Sequence, residues 1–449
     1  MLGRSDIIIK VGLVSLGCPK NQVDSERMMA VIHNAGYDLE QDPAMADVVV
    51  INTCGFIQSA KQEAIETILE FCQLKKEGRI KHIIITGCLA ERYKQEIVSE
   101  FPEADAVVGI GGEIDIAEHI GRVVSGQRLQ EFPCKDRLPL EGKRIQSTLP
   151  FYAYLKIAEG CSNNCAYCAI PSIRGGLRSR RIEDITEEAE SLVKSGVSEI
   201  ILIAQDTTSY GVDLYGKPMI CELLRQLCRL DLRWIRLLYC YPERVTDELI
   251  EVMAANKKIA KYIDLPIQHI DEDILRRMNR IGNRESITAL ITKLRDRIPD
   301  IAIRTTLIAG LPGETERQFA DLAEFVGQMR FDHLGCFAYS QEEGTKAAEM
   351  DGQIESEVKE RRAELINDKH AMIVPESLEK YVGKRLTVVV EGFDKYAECY
   401  FGRSEYQAPE IDSKIFFSEK NKVNIGNYVD ITIEEVLDYD IIGQLTIDN

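Results

Sequence analysis

The sequence predicts an α/β protein in three parts: a parallel α/β domain, then a parallel barrel or partial barrel, then a small antiparallel β-barrel. Three observations carry this. Over the first ~130 residues, apolar β-rich runs alternate with stretches of helical periodicity. Near residue 150 the alternation restarts, and it supplies six strand candidates separated by helical segments. After residue 378 the pattern changes to short alternating strands with glycine between them.

In the first part, residues 11–16, 48–51, 82–86 and 106–109 are apolar runs of the kind found in strands covered on both faces. Such strands belong to a parallel sheet with helices on either side, a Rossmann-like arrangement. Between them Ser59 offers a helix N-cap, and Ile65, Ile68, Leu69 and Cys72 recur at helical spacing, so Cys72 is read as a core residue. The domain is assigned to 1–135. The polar stretch around Pro133 and Pro139 has no periodicity, which puts a linker at 136–149.

The middle part, 150–377, has strand candidates at 154–157, 199–204, 234–239, 261–265, 302–308 and 333–339. Repeated βα units imply right-handed crossovers, with reactive side chains gathered at the C-terminal strand ends. A Glu- and Arg-rich helix near 355–368 is expected to end before Pro375. The last part, 378–449, includes strand candidates 386–390 and 428–434 and is predicted to close as a small OB-like barrel. It holds 14 acidic against 8 basic residues, a net charge of −6, which makes it a poor docking surface for RNA.

The whole chain has 449 residues and a formal net charge of −18, so a basic partner is favoured and no stable nucleic-acid partner is expected. No apolar run approaches the ~20 residues needed to cross a bilayer, and residues 1–10 lack the features of a signal peptide. The expected location is the cytosol. In that reducing compartment 13 cysteines, an odd number, argue for ligands, catalysts or core filler rather than a disulfide framework.

The sharpest motif is Gly160-Cys161-Ser162-Asn163-Asn164-Cys165-Ala166-Tyr167-Cys168, directly after the first barrel strand. Three cysteines in one tight loop can ligate three irons of a four-iron cluster and leave the fourth open to an exogenous ligand. A zinc site is the structural alternative, but no fourth Cys or His is adjacent.

A second set comprises Cys18, Cys54 and Cys88, each immediately after a predicted buried strand and beside a glycine: Gly17, Gly55 and Gly87. Strand ends of a parallel sheet converge on one crevice, so the three can meet. Position alone leaves a shared metal and inert core thiols equally open. Cys221, Cys228, Cys240, Cys336, Cys134 and Cys399 read as core or incidental. Arg174, Arg178, Arg180 and Arg181 offer planar forks for a carboxylate or phosphate, or form a solvated surface run. His269, just after a barrel strand, is either a substrate or cofactor contact or a satisfied structural histidine, and for Gly310-Leu311-Pro312-Gly313-Glu314 a plain tight turn stays open.

The cysteine loop resembles the radical S-adenosylmethionine signature, and with the N-terminal cysteines and the terminal barrel the chain resembles the methylthiotransferase family over nearly its full length. The resemblance implies a radical S-adenosylmethionine partial (βα)6 barrel and a terminal TRAM domain. It also implies two [4Fe-4S] clusters: Cys161, Cys165 and Cys168 hold the one that cleaves S-adenosylmethionine, and Cys18, Cys54 and Cys88 hold an auxiliary one. Tyr167 would lie against the adenine, and Arg174, Arg180 and His269 are candidate substrate or cofactor contacts. Gly17-Cys18-Pro19-Lys20-Asn21, Ile170-Pro171-Ser172, Gln205-Asp206-Thr207-Thr208 and Gln268-His269 look like the ribosomal-protein branch rather than the transfer-RNA branch. That branch implies methylthiolation of the β-carbon of an aspartate in small-subunit ribosomal protein S-twelve. It consumes two S-adenosylmethionine molecules per product, and it needs an electron donor and a sulfur source. The rival functions are transfer-RNA methylthiolation and a non-catalytic iron–sulfur scaffold.

Overall fold

A computed structural model describes residues 8–419 and 421–446, so the start of the chain, residues 1–7, lies outside the described residues. The first sheet contains β1 (Lys10–Ser15), β2 (Asp38–Glu40), β3 (Val48–Thr53), β4 (His82–Gly87), β5 (Ala106–Val108) and β6 (Leu129–Glu131). All pairs are parallel in the order β2-β1-β3-β4-β5-β6. After β2 the chain crosses to the other side of β1, so the order reverses between β1 and β3, and a crevice opens at their C-terminal ends. Every residue of β3 is buried, as its unbroken Val48-Val49-Val50-Ile51 run requires.

The edge strands β2 and β6 are three residues each and lack an apolar run, which is why the sequence pattern misses them. Ser59 does not cap its helix: Gln58–Lys76 begins one residue earlier, behind Ile57 and with no side-chain cap. On that helix Ile68 and Cys72 are buried as expected, whereas Leu69 turns out to solvent at 55% exposure. It sits one position past the packed stripe.

The middle sheet is built from β7 (Tyr152–Lys156), β10 (Glu199–Ile203), β11 (Trp234–Leu237), β12 (Ile259–Gln268), β13 (Ala302–Ala309) and β14 (His333–Ala338), all parallel and open in the order β14-β13-β12-β11-β10-β7. A two-stranded ribbon of β8 (Ala158–Glu159) and β9 (Arg178–Ser179) frames the loop between them. The following helix, Ser356–Leu378, runs through Pro375 rather than ending ahead of it. Val374, Leu378 and Tyr381 are buried against the barrels, and that packing outweighs the hydrogen bond lost at the proline.

The terminal domain closes as a five-stranded barrel of β15 (Arg385–Asp394), β16 (Cys399–Arg403), β17 (Ile415–Ser418), β18 (Tyr428–Leu437) and β19 (Asp440–Leu445). Closure uses one parallel pair, β17 with β19; the other pairs are antiparallel.

This small barrel seats against the N-terminal ends of the middle strands and shares a core with them through Trp234, Tyr262, Val388 and Ile431. Trp234 meets Tyr428 edge-on at 5.0 Å, and Glu199 accepts from Arg236 at 2.9 Å and pairs with Arg403 at 2.5 Å, all in the interior. The small barrel therefore plugs the bottom of the middle sheet and leaves the C-terminal strand ends free to face the first domain. Among the described residues no helix is long and apolar enough to cross a membrane.

Candidate active site

Cys18 follows β1, Cys54 follows β3 and Cys88 follows β4, so the three thiols stand side by side above the crevice of the first sheet. Gly17 has a φ of +91°, and a Cβ there would lie 2.6 Å from Cys54 Cβ and 2.8 Å from its Sγ. Only glycine lets the β1 loop come this close. Two asparagines fix the loops: the Asn21 amide donates to the carbonyls of Leu16 (2.9 Å) and Thr53 (3.0 Å), and Asn52 donates to the Asn21 carbonyl (3.1 Å).

Burial pushes the Cys88 thiol up to about 12. Cys18 is half-buried, and although desolvation opposes its charge, Lys20 and Arg174 bring it below the ordinary thiol value. Lys20 is held over the Tyr239 ring, 3.3 Å from its centroid.

The second set lies on the loop after β8. Cys161 N donates to Gly175 O (3.1 Å), Ala166 N to Met278 O (2.9 Å) and Cys168 N to Cys165 O (3.0 Å). Asn163 donates to Asp206 at 2.9 Å, and Tyr241 Oη lies 3.4 Å from Cys165 Sγ. Burial raises Cys161 to about 11 and Cys168 to about 12. Bare thiolates are thus disfavoured in both sets without a cationic partner.

The two sets share one interface. Cys88 packs on Ala169 and Ile173, immediately after Cys168. Arg174, at the end of the same short helix, points its guanidinium back: Nε and Nη2 each lie 3.3 Å from Cys88 Sγ, Nη1 pairs with Asp24 (2.7 Å) and Glu159 (3.0 Å), and Nη2 meets Asn21. Lys156 completes the group between Asp24 and Glu159 (2.8 Å to the latter). Burial opposes the Glu159 charge, but Arg174 and Lys156 hold its carboxyl well below the usual range. Burial and the Asp24 charge push nearby Glu113 up to about 8.

Beside this interface a cavity of about 720 Å³ opens at the C-terminal strand ends, lined from the first domain by Phe56 and Ser59 and from the barrel by Tyr167, Gln268, Thr306 and Tyr339.

Three family descriptions match in succession: the uncharacterized protein family UPF0004 over residues 10–109, the radical SAM superfamily over 155–326 and the TRAM domain over 382–446. The chain is 49% identical over 437 residues to a ribosomal protein uS12 methylthiotransferase, RimO, of Thermoanaerobacter sp. (97% of this chain, 99% of the relative). It is 48% identical over 437 residues to the protein of the same name in Lachnoclostridium phytofermentans, with the same coverage. The chain belongs to the ribosomal protein methylthiotransferase family. Its fold is also that of the radical S-adenosylmethionine methyltransferase TsrM of Kitasatospora setae, at a TM-score of 0.54 and 14% identity over 73% of this chain and 72% of that one.

As a radical SAM methylthiotransferase, the protein uses S-adenosylmethionine and iron–sulfur chemistry. Its donor sets suit iron–sulfur clusters: each has three thiols, and Lys20, Arg174 and Arg280 lie close enough to influence their charge. Among the described residues no three His, Cys, Asp or Glu side chains converge as a single ion requires. Thiols that each take a different iron of a cluster need not meet at a point.

In this methylthiotransferase Tyr167 lines the cavity, its hydroxyl accepting from Arg280 Nη1 at 3.2 Å, while Arg280 stacks on Tyr241 at 4.3 Å. The basic run separates. Arg174 enters the cysteine interface, whereas Arg180 is buried elsewhere, donating to Glu141 (2.7 Å) and the Lys156 carbonyl (2.8 Å) and pairing with Glu188 (2.7 Å), so it braces the linker rather than facing the cavity.

His269 is fully buried; its Nδ1 accepts from Asp271 N at 3.0 Å, and Gln268 lines the cavity instead. Burial lowers its imidazole to about 4, so it is neutral.

Arg280 and Tyr241 were missed by sequence reasoning. Neither stands in a spacing pattern, and only the fold brings them to the cysteine loop. Asn21 stood inside the Gly17-Cys18-Pro19-Lys20-Asn21 motif and Asn52 lies two residues before Cys54, and that proximity to the cysteines was the available signal.

Proposed function

We propose that this methylthiotransferase modifies the β-carbon of an aspartate in ribosomal protein uS12, with Cys161, Cys165 and Cys168 holding the cluster that cleaves S-adenosylmethionine and Cys18, Cys54 and Cys88 holding an auxiliary [4Fe-4S] cluster. The observation that supports it best is the packing of Cys88 on Ala169 and Ile173, which brings the two sets of thiols to one interface beside one cavity. When bound, the auxiliary cluster would hold sulfur drawn from a separate source, and the other cluster with two S-adenosylmethionine molecules would supply the methyl group and the radical that takes hydrogen from the aspartate.

The chain's own residues bind, orient and exclude water. Tyr167 offers a flat face for the adenine, held by Arg280. Arg174 ties the loop after Cys168 to the first domain. Cys54, Cys88, Cys161 and Cys165 are each less than a tenth exposed, which keeps water from the reacting groups. A cavity of about 720 Å³ admits a side chain with its flanking backbone and the cofactor, as modification of an aspartate on a protein loop requires. The setting is cytosolic, with a separate electron donor and sulfur source.

The test is mass spectrometry of uS12 and of transfer-RNA nucleosides from a strain lacking the gene and from one complemented with it. A methylthio mass increment on a uS12 aspartate that depends on the gene is expected. Methylthiolated transfer RNA with unmodified uS12 would overturn the substrate assignment.

A further inference from the structure

The cavity contains one cation without a partner. Lys359, in the first turn of the helix Ser356–Leu378, lines it beside Tyr339 and Gln268, and is only 7% exposed. Its ammonium is 5.3 Å from the Tyr339 ring centroid, and among the described residues it has no hydrogen bond or ion pair. The two carboxylates on the cavity wall do not neutralise it: Glu342 is taken by Lys61 (2.9 Å) and Arg92 (2.6 Å), and Glu360 is exposed. The stem of Lys359 is buried while its ammonium opens onto the cavity with no carboxylate held against it, so an anion that enters can pair with it by a charge-assisted hydrogen bond.

The fold makes room for this side chain. Gly310, immediately after β13 with a φ of +77°, runs directly under the Lys359 stem, and a Cβ there would collide with Lys359 Cγ and lie 2.8 Å from its Cβ. The Gly310-Leu311-Pro312-Gly313-Glu314 segment is thus more than a turn: Glu314 accepts from Gly310 N (2.8 Å) and Leu311 N (3.3 Å), which fixes the backbone that the lysine stem packs against. The N-terminal end of a 23-residue helix adds partial positive charge at the same place.

We propose that Lys359 binds the side-chain carboxylate of the substrate aspartate. This rests on the reading that the substrate is an aspartate. The ammonium fixes the carboxylate, which leaves the adjacent β-carbon directed into the cavity that Tyr167 also lines. It also explains selection of an acid over its amide, because a neutral amide cannot compensate an ammonium whose water the bound side chain displaces.

The test uses reconstituted protein without reductant, so that no turnover occurs, and two synthetic peptides from uS12 carrying either the target aspartate or asparagine in its place. Wild type is expected to bind the aspartate peptide at least about tenfold more tightly, a difference of about 1.4 kcal/mol. Lys359→Met should abolish the difference, and Lys359→Arg should retain most of it. Reductive cleavage of S-adenosylmethionine without peptide should be unchanged in both variants. Equal preference for the aspartate peptide in wild type and Lys359→Met would overturn the proposal, as would loss of cofactor cleavage in both variants, which would assign the lysine to the cofactor. Mass spectrometry that finds the product on a residue other than aspartate would instead overturn the substrate reading on which the proposal rests.

Discussion

Removing the Arg174 guanidinium should uncouple the two halves of the active site. It stands between Asp24 and Asn21 of the first domain and Glu159 of the barrel, at 2.7 Å from Asp24 and 3.0 Å from Glu159. The buried group comprises two cations, Arg174 and Lys156, and two carboxylates, all 2% exposed or less. Arg174→Met leaves two buried carboxylates sharing Lys156 alone, which costs about 3–5 kcal/mol. Arg174→Lys keeps the charge but has no planar fork to reach Asp24, Glu159 and Asn21 together, so its cost should be smaller, about 1–3 kcal/mol. Asp24→Asn in the Arg174→Met background removes the excess negative charge, so the double variant should be more stable than the sum of the two single losses. The assay is amide hydrogen exchange in β3 and β7 of anaerobically purified protein, which reads opening of the interface without assuming a two-state transition. Strictly additive losses from the two substitutions would refute the argument, because residues that share one buried charge network must couple.

Four further outcomes are expected. Reconstituted protein should bind about eight irons, falling to about four when Cys161, Cys165 and Cys168 are replaced by Ala. Replacing Cys18, Cys54 and Cys88 should instead preserve reductive cofactor cleavage while abolishing methylthio transfer, and retained product would contradict the auxiliary assignment. His269 binds its proton near pH 4 in the folded protein against 6.5 ordinarily, so its contribution to stability is present above pH 6.5 and lost as the pH falls toward 4; His269→Gln should flatten that part of a denaturation-versus-pH curve, and an unchanged slope would refute the assignment. Reversing the exposed Glu434 and Glu435 on the terminal barrel should slow stopped-flow association with uS12 at low salt and leave cofactor cleavage intact; equal rates would remove this surface from recognition. Glu391 and Asp394 are left out because their carboxylates are engaged, by Arg403 at 2.7 Å and by the backbone N–H groups of Tyr396 (2.8 Å) and Ala397 (3.0 Å).

How much of this was legible in the sequence followed from the range of the forces involved. Strands buried on both faces print their environment locally, so β3, β4, β10 and β13 stand out as apolar runs with ends within a few residues of those observed. The same logic loses β2 and β6, whose three residues at the sheet edges need not be apolar. Pro375 shows local propensity overridden: its neighbours Val374 and Leu378 are buried by a barrel that the local sequence does not contain.

The site divides along the same line. Cysteines beside glycines after buried strands were readable because strand ends of a parallel sheet must converge, a rule of topology rather than of local chemistry. The partners of those thiols were not. Nothing in the basic run 174–181 tells that Arg174 turns inward onto Cys88 while Arg180 braces a linker, because that is decided by Asp24, Asn21 and Glu141, which lie far away in sequence.

Lys359 is the same case in a stronger form. In sequence it is one more charge on a Glu- and Arg-rich helix, and Gly310 is one more turn glycine. Only their contact shows why β13 is followed by a residue without a side chain and why a lysine with no anionic partner persists in a cavity. The terminal barrel, seated at the opposite ends of the strands, leaves this mouth open to a protein loop, so attraction of a basic partner and selection of its acidic residue fall to different ends of the molecule. A charge-reversal on the barrel and a substitution at Lys359 should then act on separate quantities, the association rate and the aspartate preference, and a variant of either kind that changed both would contradict this division.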